Sequence, residues 1–287
     1  MVAKKSIFDF HRMVADREPI TFLTAYDYLT AKMAENAGIE MILVGDSLGM
    51  VELGYDTTLP VTLDDMIRHC QAVRRGAPNT FVIGDMTYMS YQVSDEQAVE
   101  SAGRMVKEGM CDAVKLEGGG ERIASRITAI NESGILVMGH IGLTPQSMGQ
   151  QGGYKAQGRN SKAAVAIVRQ AKQLEEAGAF SILIEAVPPA VGKAITERAG
   201  IPILGIGGGS YTHGQLLIYA DMIGLYDNFT PRFVKQYAKV GPIITDAFRQ
   251  YHQEVKDGAF PIDSEHSYKM KEEEVREFLI SLEKEGI

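Results

Sequence analysis

The sequence predicts an α/β fold, a (β/α)8 TIM barrel with an N-terminal plugging helix and a C-terminal helical arm. Three observations predict it. Short apolar runs alternate with amphipathic segments along the 287 residues, and short continuous apolar runs read as strands buried on both faces of a parallel sheet. Five of these runs stop at a residue able to bind a cation or move a proton: Asp46, Asp85, Glu117, His140 and Glu185. A closed parallel barrel opens all its strand C-termini onto one face, where catalytic groups collect. Finally, a chain of 287 residues with 45% hydrophobic content suits a single barrel, which takes about 250 residues. Residues 1–287 are therefore expected to form one domain, with 257–287 as an appended arm and helix.

The elements follow in order. Residues 6–14 carry Ile7, Phe10, Met13 and Val14 at helical spacing and are expected to plug the N-terminal mouth of the barrel. Strand 20–25 comes next, then helix 28–37 closed by Gly38, then strand 41–45. The following helix has Thr62 as N-cap, Asp65 three residues on in a capping-box position, and Gly76 just past its end. Runs 81–84, 113–116, 135–139, 181–184, 202–206 and 221–225 supply the other strands, with seven helical connections. A doubly wound open sheet is the competitor, but no feature marks where its strand order would reverse. Beyond the barrel, 231–255 reads as a helix and 257–268 as an extended arm. Residues 269–284 read as an amphipathic helix with Val275, Phe278, Leu279 and Leu282 on one side. This arm can pack on a neighbouring subunit or on its own.

Charge and composition exclude several classes. A net charge of −8 and a pI near 5.4 argue against nucleic acid and anionic membranes, both of which favour basic patches. Apolar stretches fall short of the roughly 20 residues of a membrane span. The basic start, Lys4-Lys5, leads into no long apolar run, so a secretory signal is not expected and a cytoplasmic location is. The two cysteines, Cys70 and Cys111, lack metal-ligand spacing and read as buried free thiols of a reducing compartment.

Asp46, Asp85 and Glu117 offer oxygen ligands at three successive strand ends. Crowded carboxylates repel unless a cation lies between them, and an all-oxygen set suits Mg²⁺. The plainer alternative is that they cap helices or pair with basic side chains. Lys115 lies two residues before Glu117 and so on the same strand face. It can grip a substrate carboxylate or form a Schiff base, and neighbouring carboxylates that keep it protonated favour the former. It can also serve only to balance charge. His140 and Glu185 are candidate general acid–base groups, although a lone histidine is commonly structural. Ser47 can offer its hydroxyl or amide to an oxyanion, or simply make a turn. Loops 47–60 and 143–160 are long and glycine-rich, and such loops form lids or binding walls. The run Gly205-Ile206-Gly207-Gly208-Gly209-Ser210 lacks nucleotide-binding spacing and reads as a phosphate site, a close backbone approach or a tight turn. Together these residues suit metal-assisted carbon–carbon bond chemistry on a small oxo-acid.

Several segments resemble the ketopantoate hydroxymethyltransferase family across nearly the whole chain. They include Thr24-Ala25-Tyr26-Asp27-Tyr28, Val44-Gly45-Asp46-Ser47-Leu48-Gly49-Met50, Val114-Lys115-Leu116-Glu117-Gly118-Gly119 and Gly139-His140-Ile141-Gly142-Leu143-Thr144-Pro145-Gln146. The resemblance implies hydroxymethyl transfer from methylenetetrahydrofolate to α-ketoisovalerate (3-methyl-2-oxobutanoate), through a Mg²⁺-stabilised enolate, giving ketopantoate on the route to pantothenate. It implies that Asp46 and Asp85 hold Mg²⁺, with Glu117 reaching it through water. It implies that Asp46, Ser47, Asp85, Lys115 and His140 bind the ketoacid and that Glu185 accepts the proton. It also implies a cytoplasmic homodecamer. Folate-binding residues stay unassigned. Thr87, the pair Thr212-His213 and Ala220 depart from the family pattern and bear on the seventh and eighth βα loops. The competing functions are a Mg²⁺-dependent oxo-acid lyase or hydrolase of the phosphoenolpyruvate-type barrels, and a non-catalytic ketoacid-binding barrel. Neither cysteine sits where the former would carry a catalytic one.

Overall fold

Residues 4–226 and 228–287 are described in a computed structural model. Its strands are β1 (Ile20–Thr24), β2 (Met41–Val44), β3 (Phe81–Asp85), β4 (Ala113–Glu117), β5 (Leu136–Gly142), β6 (Ser181–Glu185), β7 (Ile203–Ile206) and β8 (Gly214–Leu217). They close in sequence order, each parallel to the next, with β8 returning to β1. This is the expected (β/α)8 barrel.

One strand was misplaced by the sequence pattern. The eighth strand is Gly214–Leu217, not 221–225. Gly214-Gln215-Leu216-Leu217 has a half-exposed pattern and follows a glycine-rich loop, so it carries no buried-strand signature. The more apolar 221–225 instead contributes to helix Tyr219–Met222 and a turn at Gly224, whose φ is 62°. Six of the connections, rather than seven, carry helices. Between β7 and β8 the chain returns as a loop lying against β7, where Thr212 Oγ1 would be 3.0 Å from a Cβ at Gly205.

The strand period of two sorts the core into two layers. Outward residues such as Ile42, Val82, Val114, Leu116 and Ile182 pack beneath the helices. Inward residues Met41, Leu43, Phe81, Ile83, Ala113, Met138 and Leu183 fill the lumen together with Phe10 and Met13. The latter two come from helix Ile7–Asp16, which plugs the N-terminal mouth as expected: the Phe10 and Phe81 rings meet edge-on at 5.3 Å. The capping box of helix Leu63–Gly76 is present, with Thr62 Oγ1 accepting from the Asp65 N–H at 3.1 Å.

Residues 239–287 form a separate compact unit of helices Val240–Lys256, Asp263–His266 and Glu272–Glu285. The helix expected over 231–255 starts at Val240, because the preceding segment is held elsewhere. Phe233 packs over Gly207, and the Tyr237 N–H donates to the Met222 carbonyl at 2.8 Å. The expected extended arm contains the short helix Asp263–His266, in which His266 Nδ1 accepts from the Ile262 N–H.

Candidate active site

Parallel pairing sets the strand ends side by side. The register puts Asp85 beside Lys115, Glu117 beside His140, and Gly142 beside Glu185. Because Asp85, Lys115, Glu117, His140 and Glu185 continue the inward rows of their strands, their side chains converge at the C-terminal mouth. With Asp46 and Ser47 after β2, they line one cavity of about 360 Å³.

Lys115 Nζ lies 3.0 Å from Asp85 Oδ1, 3.2 Å from His140 Nδ1 and 4.0 Å from Glu117 Oε1. His140 bridges two acids, with Nδ1 3.4 Å from Glu117 Oε1 and Nε2 3.1 Å from Glu185 Oε2. The His140–Glu185 approach is off the line of a hydrogen bond, as is that of Lys115 to Asp85. The Asp46 N–H donates to Asp85 Oδ2 at 3.0 Å. Gly45 permits this close packing, because a Cβ there would lie 2.9 Å from Ser47 Oγ and 3.3 Å from Asp85 Oδ2.

Burial and charge work against each other in this cluster. Burial, reinforced by Glu117 and Asp85, pushes the Asp46 carboxyl well above its ordinary range. Burial likewise raises Asp85, although Lys115 opposes it. For Glu117, burial is outweighed by His140, Lys115 and the Gln146 N–H, which hold it below the usual range. Burial would lower Lys115, but Asp85, Glu117 and Asp46 overcome that and keep it a firm cation. For His140, burial and Lys115 favour the neutral ring, and Glu117 and Glu185 prevail to raise it.

Asp46 and Asp85 suit a divalent cation. Among the described residues the buried Asp85 Oδ1 has no hydrogen-bond partner, and acids raised by burial and by neighbouring carboxylates gain from a positive charge between them. Among the described residues no three His, Cys, Asp or Glu side chains gather closely enough to hold an ion unaided. Two carboxylates completed by water and substrate oxygens are what Mg²⁺ commonly takes.

Residues outside the predicted set complete the site. Gln146 is buried, and its Nε2 donates to Asp46 Oδ2 at 2.9 Å and to the Met86 carbonyl at 2.8 Å. Its N–H donates to Glu117 Oε2 at 2.9 Å, and its Oε1 accepts from Tyr91 Oη at 2.7 Å. One residue thus ties two carboxylates and the end of β3 together, through its side-chain amide and its main-chain N–H. Tyr26 Oη lies 2.7 Å from Ser47 Oγ, within hydrogen-bond reach. Directly after Glu185, Ala186 has φ 48°, an uncommon left-handed conformation for a residue with a Cβ. Nothing in one sequence separates Gln146 from the other loop glutamines, or Tyr26 and Tyr91 from ordinary core aromatics.

The structure also relocates some sequence features. His213 lies at the N-terminal end of the barrel, away from the βα loops it was expected to alter. Its Nδ1 accepts from the N–H of Ile203, the first residue of β7, and its carbonyl accepts from the N–H of Ile20, the first of β1. Thr87 and Ala220 are buried beyond the ends of β3 and β8. The glycine run after β7 serves close packing. Gly207 meets the Phe233 ring, Gly208 meets Ile184, and Gly209 meets Pro189, each with a hypothetical Cβ closer than 3.0 Å. Both long loops line the cavity, the first through Met50, Val51 and Thr58 and the second through Leu143, Pro145, Tyr154 and Ala156. Both cysteines are free and buried, with their sulfurs behind β3 at Gly84.

Fold and site together define a TIM-barrel enzyme with a polar cluster at its C-terminal mouth. Solved barrels agree on the fold: a phosphonopyruvate hydrolase (TM-score 0.60, 14% identity, 99% of this chain and 98% of that one) and a 2,3-dimethylmalate lyase of the PEP mutase/isocitrate lyase superfamily (TM-score 0.58, 17% identity, 93% and 92%). The particular family comes from sequence. The ketopantoate hydroxymethyltransferase profile matches residues 4–263. The 3-methyl-2-oxobutanoate hydroxymethyltransferase of Alkaliphilus metalliredigens is 57% identical over 268 residues, covering 93% of this chain and 94% of that protein. Its counterpart in Clostridium kluyveri is 52% identical over 269 residues, covering 94% and 95%. The chain belongs to the ketopantoate hydroxymethyltransferase family and is a transferase.

Proposed function

We propose that the chain transfers a hydroxymethyl group from methylenetetrahydrofolate to α-ketoisovalerate, forming ketopantoate and tetrahydrofolate for pantothenate synthesis. The observation that carries this reading is the meeting of Asp46, Asp85, Lys115 and Glu185 at one mouth. Asp46 and Asp85 would hold Mg²⁺, with Glu117 reaching it through water. When bound, the ion polarises the ketone and stabilises the enolate oxygen.

The chain's own groups supply the remainder. Lys115, kept cationic by three acids, and Ser47, beside Tyr26 Oη, bind the ketoacid carboxylate. Asp46 and Asp85 contact its oxygens, and His140 forms the wall beside Glu185. Glu185, whose side chain is the more exposed partner of its pair with His140 (15% against 2%), takes the C3 proton. The C3–H bond breaks, C3 bonds to the folate-borne methylene and water supplies the hydroxyl, while both C–N bonds of that methylene break. The C3 proton and one proton of the water end on the two folate nitrogens, so tetrahydrofolate leaves. The exposed apolar side chains Ile243, Phe248, Phe278 and Leu279 support a homo-oligomer, a decamer in the family pattern, and the cytoplasmic location likewise follows the family pattern. Acidic net charge supports small molecules, rather than nucleic acid or membrane, as its ligands.

The test is ketopantoate formation from both substrates, with and without Mg²⁺ after chelation. Metal-dependent product is expected. Absence of product, together with no exchange of the ketoacid C3 hydrogen with solvent, would overturn the reading. Glu185→Gln is expected to retain ketoacid binding and to turn over at least about a hundredfold slower, as loss of a general base implies. Weaker binding with an unchanged rate would contradict that role.

A further inference from the structure

The cavity is larger than a five-carbon ketoacid needs, and its two sides differ. The reactive groups come from β2 to β6. Across the closed ring, β8 stands opposite β4, and the segment after it lines the cavity with Asp221, Tyr226, Phe229 and Phe233. Asp221 is 5% exposed, and among the described residues its side chain makes no hydrogen bond or ion pair. Its carboxyl is pushed up to about 6 by burial alone. Its backbone is firmly placed: the Tyr219 N–H donates to Thr24 Oγ1 at 3.0 Å, and the Leu225 N–H to the Ala220 carbonyl at 2.9 Å. A buried carboxyl that faces a cavity without a protein partner calls for one from a ligand.

We infer that Asp221 and the aromatic residues after β8 form the subsite for the one-carbon donor, with the Asp221 carboxylate accepting from a flat heterocycle that presents two adjacent N–H donors. The proposal rests on the hydroxymethyltransferase reading. The reduced pterin of a folate has such an edge, its 2-amino group beside N3–H, and a carboxylate accepts two parallel hydrogen bonds in that geometry. The aromatic wall of Tyr226, Phe229 and Phe233 offers apolar surface to the ring faces, with Tyr154 also lining the cavity. Arg232, exposed at the cavity rim, suits the anionic glutamyl tail. The arrangement places the donor's methylene between this wall and the C3 carbon activated at Glu185.

The test titrates tetrahydrofolate, and a tetrahydropterin with and without its 2-amino group, into wild-type protein and D221N. Tetrahydrofolate is expected to bind D221N about tenfold or more weakly, the usual cost of losing a charged hydrogen bond. Removing the 2-amino group should weaken wild-type binding similarly and cost D221N little further. In turnover, the KM for methylenetetrahydrofolate should rise by the same factor. Equal tetrahydrofolate affinity in both proteins overturns the assignment. So does loss of C3-hydrogen exchange in D221N, which would place Asp221 in the ketoacid half. If D221N does not fold, the pterin pair on wild type decides, and equal affinities overturn the subsite. Failure of wild-type protein to exchange the C3 hydrogen or turn over would instead refute the hydroxymethyltransferase reading itself.

Discussion

The two ends of the barrel lumen are built by the same strands on the same face, yet they do opposite work. Along β3 the inward positions run Phe81, Ile83, Asp85, and along β4 they run Ala113, Lys115, Glu117. On β5 and β6, Met138 leads to His140 and Leu183 to Glu185. At the lower end Phe10, Phe81 and Phe180 form a chain of ring contacts, with centroids 5.3 and 5.8 Å apart. Further up the strands, the rows change to acids, a buried lysine and a buried histidine whose charges compete. The lower end stores packing energy, whereas the upper end holds unsatisfied polar groups that a packed core would exclude. A barrel thus separates stability from reactivity along one axis.

The sharpest way to break that comparison is at the top. Asp85→Ala should abolish metal-dependent turnover, by about a thousandfold or more given the scale of removing a charge-stabilising group from an active site, while circular dichroism shows a folded barrel. Near-wild-type rates at saturating Mg²⁺ would remove Asp85 from the machinery. At the bottom the pattern should invert. Phe81→Ala is expected to cost about 3–5 kcal/mol in urea unfolding, with kcat/KM of the folded protein close to wild type. A large loss of kcat/KM without loss of stability would mean that the two ends are not separable.

Gln146 tests how far the upper end depends on orientation. Gln146→Leu removes the donors to Asp46 and Met86 but keeps the volume. Affinity for Mn²⁺, followed by electron paramagnetic resonance in the absence of substrate, should fall about 10–100-fold, as for other outer partners of metal ligands. Unchanged Mn²⁺ binding would show that Asp46 needs no such anchor.

The smallest effect lies outside the lumen. The Thr62 hydroxyl holds the Asp65 carboxyl below its ordinary 3.8, burial opposes this, and the Thr62 N–H adds to the lowering. A lowered folded value means that this charge contributes stability above the unfolded pKa and loses it as pH falls through the folded one. The urea midpoints of wild type and Asp65→Asn should therefore differ at about pH 7 and converge near pH 2. A constant gap would place the effect elsewhere than in the charge.

Much of this was legible in the chain because it is periodic. Continuous apolar runs ending in an acid or, for β5, a histidine marked β2 to β6, and i, i+2 spacing placed Lys115 and Glu117 on one face. Ile7, Phe10 and Met13 announced the plug. The weak points were also physical. β8 borders a helix-free connection and keeps Gln215 exposed, so its pattern fades, while the apolar stretch after it imitates a strand. Phe233 and Tyr237 leave the helical register of their neighbours because they are engaged with Gly207 and Met222, contacts that lie outside any local window.

By itself, then, the sequence determined the barrel class, the family and the acids, lysine and histidine at the strand ends, because these follow from short-range periodicity and from motifs contiguous in the chain. Only the tertiary structure decided that Gln146 joins Asp46 to Glu117, that Tyr26 approaches Ser47, that His213 belongs to the far end, and that Asp221 faces the cavity across from Lys115. Those relations depend on where a closed ring brings residues separated by 21 to 100 positions or more, and ring closure is a property of all eight strands together.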